Sequence, residues 1–134
     1  MRNGIWALYK GKEYEVIKHD HDNYELFTKD PDTAQVGFEL DMTGYYCKHV
    51  RRNEISSVYD IRFQAIMNGL EFPVFREEDN RVLLGSELHG PDVIKHYGFV
   101  QVDRFEYEKW VDKNEIKKIE EIKIPMWGFP APKN

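Results

Sequence analysis

Apolar and polar residues alternate along most of this chain, in short bursts separated by turn chemistry. Residues 5–9 (Ile-Trp-Ala-Leu-Tyr) read as a strand, Lys10-Gly11 as a tight turn, and 12–17 alternate with the period of a half-buried strand. His19-Asp20-His21-Asp22-Asn23 reads as a polar loop, 24–27 as a third strand, and Lys29-Asp30-Pro31-Asp32 as a turn. Residues 36–40 are expected to form a fourth strand, with Gly37 marking a bulge or sharp bend. After a loop through Thr43-Gly44 and the stretch 45–50, Arg51-Arg52-Asn53-Glu54 predicts one turn of tight helix before a last strand over 55–61. The scheme then returns at 71–75, 81–84 and 96–100, and no stretch shows an apolar stripe of three helical turns. The pattern predicts an all-β protein.

The return is literal. Val50, Asn53, Glu54 and Ile55 recur as Val111, Asn114, Glu115 and Ile116, and the same offset of 61 maps Gly37, Phe38, Tyr46 and Lys48 onto Gly98, Phe99, Tyr107 and Lys109. Nearer the start of each copy the offset is 58, taking Ala7, Gly11, Glu13, Val16 and Leu26 onto Ala65, Gly69, Glu71, Val74 and Leu84. An insertion of three residues between Leu84 and Gly98 reconciles the two offsets. The chain therefore divides into repeats over 1–62 and 63–122 and a tail over 123–134. Copies this small lie near the lower limit for an independent core, so they are expected to pack together. The join, 59–65, has no linker composition and alternates like a strand passing from one copy into the next. Val50, Ile55, Val111 and Ile116 should be buried, with Asn53 and Asn114 serving their turns through side-chain to backbone hydrogen bonds.

Composition narrows the function classes. A hydrophobic fraction of 41% with 14% aromatic residues fits a folded chain, not a disordered one. The net charge is −5, with −3 over 5–62 and −5 over 63–122, which disfavours nonspecific attraction to nucleic acid and favours a basic partner. Cys47 stands alone, so no internal disulfide forms, and no apolar run reaches the length of a membrane span. A cytoplasmic protein without a membrane partner is expected.

The order Gly11-Lys12-Glu13-Tyr14-Glu15-Val16, Tyr24-Glu25-Leu26-Phe27, Gly37-Phe38 and Val50 ahead of Glu54-Ile55 resembles the SH3-like barrel. The second copy carries the resemblance through Gly69 to Val74, Gly98-Phe99 and Trp110-Val111 ahead of Asn114-Glu115-Ile116. The resemblance implies two tandem five-stranded SH3-like small barrels, packed together, with a Pro-rich C-terminal strap. Only Lys10 separates the first strand from Gly11, so the long loop of peptide-binding SH3 domains is missing. Tyr24-Glu25 and Val82-Leu83 replace the paired tryptophans of those domains. Proline-peptide recognition needs an aromatic groove beside that loop, so this ligand class is not implied.

Candidate chemistry is sparse. His19 and His21 with Asp20 and Asp22 have metal-ligand spacing, but the second copy offers no histidine there, and a hydrated hairpin loop is the expected reading. Cys47 and His49 could share a strand face as nucleophile and base, yet nothing near them resembles an oxyanion hole. Neither a catalytic residue, a metal nor a cofactor is expected, and the chain is not expected to be an enzyme. Trp6, Phe38 and Phe99 read as core. The tail around Pro125, Trp127, Phe129, Pro130 and Pro132 reads as a strap over apolar surface or, alternatively, as a segment that docks on another molecule.

Such a protein is expected to act by binding. Small acidic proteins of this kind resemble the immunity proteins that accompany bacterial polymorphic toxins, which implies an inhibitor of a basic toxin or nuclease. The alternatives are an adaptor module reading a peptide through the seam between barrels and a nucleic-acid-binding SH3-like protein, the latter disfavoured by charge. Tyr45, Tyr46, Tyr107 and Trp110 are the candidate partner-binding anchors, with Glu106 and Glu108 as their charged neighbours.

Overall fold

The computed structural model describes residues 1–132; Lys133 and Asn134, the end of the expected tail, lie outside the described residues. The chain is predominantly β with antiparallel strand pairing, and no helix among the described residues is long and apolar enough to cross a membrane. It divides into two compact units. One comprises Arg2–Ile61 with the chain from Lys123 onward, and the other Arg62–Ile122 with Met1.

The first unit runs β1 (Gly4–Tyr9), β2 (Lys12–Lys18), β3 (Asn23–Thr28), a 3₁₀ segment (Pro31–Val36), β4 (Glu39–Leu40), β5 (Tyr46–Arg51), a 3₁₀ turn (Arg52–Glu54) and the first half of β6 (Ser57–Met67). Its ladder order is β4-β5-β3-β2-β1-β6. The second unit takes the other half of β6, then β7 (Leu70–Glu78), β8 (Arg81–Gly85), a short helix α1 (Pro91–His96), β9 (Val100–Asp103), β10 (Glu106–Asp112), a 3₁₀ turn (Lys113–Glu115) and β11 (Lys118–Pro125) as far as Ile122. There the order β6-β7-β8-β10-β9 matches that of the first unit, strand for strand, and β11 pairs with β6.

Two of the expected strands need correction. The stretch 36–40 is not a regular fourth strand: its first residue ends the 3₁₀ segment, Gly37 (φ +93) caps that segment, and only Glu39–Leu40 pair with β5. In the second unit, 96–100 likewise begins in α1, and pairing starts only at Val100. Pro31 and Pro91 explain both. Each sits at the first helical position, where a fixed φ and a missing N–H cost nothing.

The two cores repeat along with the strands. The first gathers Ala7, Tyr9, Tyr14, Val16, Tyr24, Leu26, Phe38, Val50, Ile55, Val58 and, from the tail, Phe129. Every buried member of the second core (Ala65, Met67, Phe72, Val82, Leu84, Phe99 and Val111) stands at the repeat equivalent of a first-core residue. Val50, Ile55 and Val111 are buried as expected, whereas Ile116 is half-buried against the second core. Trp6 is not a core residue. It is half-buried, its indole N–H donates to Asn3 O at 2.9 Å, and the Arg2 guanidinium lies over its ring.

The tail enters the first unit as a hook. Met126 N donates to Val58 O at 2.9 Å, Ser57 Oγ donates to Pro130 O at 2.6 Å, and the Phe129 ring meets Tyr24 edge-on. Arg52 organises this contact. Its guanidinium lies 4.1 Å from the Phe129 ring centre while donating to Tyr24 Oη and Trp127 O.

Candidate functional site

Residues shared by both copies are largely spoken for by the fold. Lys48 Nζ donates to Val36 O at 3.2 Å, and its equivalent Lys109 donates to Tyr97 O at 2.5 Å, each closing the end of the helical segment that precedes the edge strand. Phe38 N and Phe99 N donate to Thr33 O and Ile94 O, fixing the two core phenylalanines in the same way. Glu54 accepts from Arg51 N and Glu115 from Asp112 N, so these carboxylates hold the two 3₁₀ turns. The expected turn role of Asn53 and Asn114 thus belongs to the glutamates; both asparagines are exposed. A binding function has to be sought where the copies diverge.

The six sequence-derived candidates fall in different places. Tyr45 and Tyr46 lie in the first unit: Tyr45 packs edge-on to Phe27 with Lys29 Nζ 4.9 Å from its ring, and Tyr46 packs on the first core. Trp110 is half-buried, with the Arg76 and Arg81 guanidinium groups 5.4 and 4.3 Å from its ring, so its face is already covered. Tyr107, Glu106 and Glu108 come together on β10, where it turns back from β9. These three border the same depression.

That depression is built around a residue outside those six candidates. Phe105, between β9 and β10, is 83% exposed and adopts φ +66. An L-residue with a side chain is strained in this left-handed region by about 1–2 kcal/mol. The repeat supplies the comparison, because the equivalent position in the first copy is Gly44, at φ +89. The turn needs a positive φ that glycine provides without strain; the second copy puts a solvent-facing phenyl ring there instead.

Phe105 and Tyr107 border two depressions. In one, Pro91, Ile94, Lys95, Phe99 and Tyr107 complete an apolar groove of about 600 Å³. In the other, Phe75, Ser86, Glu87, Glu106, Tyr107 and Glu108 enclose a polar pocket of about 260 Å³. Phe75 is held by Gly85, the register partner of Glu108: a Cβ at Gly85 would come within 2.4 Å of the Phe75 ring. Glu87, Glu106 and Glu108 have no ion-pair partner among the described residues. Over 87–108 five carboxylates face two cations, a net −3 beside a strongly apolar surface.

The alternative chemistries lack comparable geometry. Burial and a hydrogen bond to Asp41 push the Cys47 thiol up to about 11, so it stays protonated near neutrality. His19 pairs with Glu25 at 3.2 Å, and Asp20 organises its own turn by accepting from Asp22 N and from Asn23. Among the described residues no group of three His, Cys, Asp or Glu side chains converges to hold a metal.

Residues 1–127 match the protein-family profile described as "Uncharacterised conserved protein UCP033725". No curated protein and no solved structure matches the chain.

Proposed function

The chain belongs to the UCP033725 family, and for this member we propose a protein-binding function centred on Phe105 and its flanking depressions. The observation that carries the reading is the exchange of Gly44 for Phe105 at a left-handed turn, where the aromatic residue stays 83% exposed and the Arg104 guanidinium lies 5.2 Å from its ring centre. Large rings surrounded by apolar surface and rimmed by charge are the usual anchors of protein interfaces. The three unpartnered carboxylates select a partner with a basic rim around an apolar centre. In this reading each unit is an SH3-like barrel, supported by the strand order and by the 3₁₀ turn before each closing strand. The Met126–Pro130 hook is a strap on the first. An acidic binder of this kind fits an inhibitor of a basic toxin or nuclease, as in immunity proteins. The chain seals a basic active surface by occupying it.

The test is isolation of the partner from cells that make the protein, followed by binding kinetics of the wild type and of Phe105→Gly across a salt series. Association should slow as ionic strength rises, and Phe105→Gly should weaken binding by at least about thirtyfold, as expected for an interface anchor. A partner bound equally well by Phe105→Gly, or recovery of nucleic acid in place of protein, refutes the reading.

A further inference from the structure

We propose that β9 receives an extra strand from the partner: an extended segment with alternating apolar and basic side chains, paired through the main chain to the free edge of Val100–Asp103. The inference deepens the Phe105 reading and rests on it. β9 ends its ladder, bonded to β10 on one side and, among the described residues, to no strand on the other. Val100 and Val102 are 65% and 53% exposed. Alternate strand residues share a face, and Val100 is the register partner of Glu108. Val100 therefore stands on the face that carries the Glu108 carboxylate, and Val102 is the extra residue of the bulge that shifts the register between Glu106 and Tyr107.

The first copy shows how this fold protects the same edge. There the pairing covers only Glu39–Leu40, and the equivalents of Val100 and Val102 are Glu39 and Asp41. A short edge strand with carboxylates is a standard defence against pairing with other chains. Leu40 and Met42, though exposed, fall at the opposite phase, where the second copy has Gln101 and Asp103. In the second copy the edge is twice as long, and valines replace both carboxylates. Main-chain pairing along such an edge supplies affinity, and alternate side chains supply selectivity.

Charge decides between possible occupants. A second copy of this chain, paired edge to edge through β9, would set two surfaces carrying Asp103, Glu106 and Glu108, each net −3 over 87–108, beside one another, and like-charge juxtaposition disfavours that pairing. An incoming strand with basic residues meets those carboxylates favourably, while its apolar residues cover Val100 and Val102 beside the Phe105 ring.

The experiment measures backbone amide exchange of the full chain with and without an end-capped ten-residue peptide of alternating valine and lysine. Parallel measurements use Phe105→Gly and the double variant Val100→Glu/Val102→Asp, which installs the first copy's residues at exposed sites. Strand addition predicts exchange of the 100–103 amides slowed by about tenfold or more at saturation, lost in the double variant. Peptide binding that depends on Phe105 but leaves β9 exchange unchanged overturns strand addition and leaves the docking site standing. Absence of any Phe105-dependent binding overturns both. Self-association of the wild type that the double variant abolishes, seen by sedimentation, also overturns the proposal, because the occupant is then a second copy.

Discussion

Replacing Phe105 by glycine removes an entire aromatic side chain, yet it should leave the fold almost as stable as before. Only about a sixth of the residue is covered. With 150–250 Å² as the scale for a fully buried ring, about 30 Å² returns to water, a loss of about 0.8 kcal/mol. Glycine adds unfolded-state entropy that costs a further ~0.4–1 kcal/mol. Relief of the left-handed strain at φ +66 returns about 1–2 kcal/mol. The effects cancel to within about 1 kcal/mol, whereas Phe→Ala at a buried phenylalanine costs about 3–5 kcal/mol. Phe99, 8% exposed in the second core, is the control. Urea denaturation of the wild type, Phe105→Gly and Phe99→Ala separates the cases through their midpoints. A loss above about 2 kcal/mol in Phe105→Gly would mean that the ring holds the hairpin together, and the functional reading of it would fall.

Three further outcomes follow from the same geometry. Val111→Ala removes methyl groups from a side chain 3% exposed in the second core and should lower stability by about 1–3 kcal/mol in chemical denaturation. Glu13 is partly buried, which by itself raises its pKa, but hydrogen bonds from Arg2, Tyr59 and Lys123 outweigh this and hold it down at about 2. With a folded value below the unfolded one, the carboxylate's stabilisation is complete above about pH 4.5 and disappears as pH falls towards 2. After solvent screening it amounts to about 1–2 kcal/mol, and Glu13→Gln should flatten the acid limb of the stability profile by that amount. A Cys47 thiol at about 11 should be alkylated at pH 8 about a hundredfold more slowly in the folded protein than in urea, read by mass spectrometry.

Much of this architecture was legible in the residues. The repeat placed the strands, the two cores and the helical turns at Arg52–Glu54 and Lys113–Glu115, because the identical residues are those the fold uses twice. Lys48 and Lys109 show the limit: their identity announced a shared role, but not that each ammonium closes a helical segment. Those segments, Pro31–Val36 and Pro91–His96, escaped the pattern because six residues are too few to display a helical stripe. The site was legible only in part. Glu106, Tyr107 and Glu108 stand out in the sequence as acidic and aromatic groups where the copies diverge around a common frame, while Trp110, chosen with them, is covered by Arg76 and Arg81, neighbours only in space. Phe105 was left out of the anchors, although laying the copies side by side sets a phenylalanine against Gly44. Its meaning needed the backbone angle, which the sequence does not display.

The hook at Met126–Pro130 sets an order of events during synthesis. The ribosome makes the first unit's strands early, but that unit's core includes the ring of Phe129, and its Arg52 and Ser57 side chains donate to the carbonyls of Trp127 and Pro130. The second unit, complete by Ile122, has all its strands before the hook exists. Domains ordinarily mature from the N-terminus as they emerge. Here the N-terminal unit is the last to be finished, and a nascent chain halted before residue 126 would carry a finished second unit and an unsealed first one.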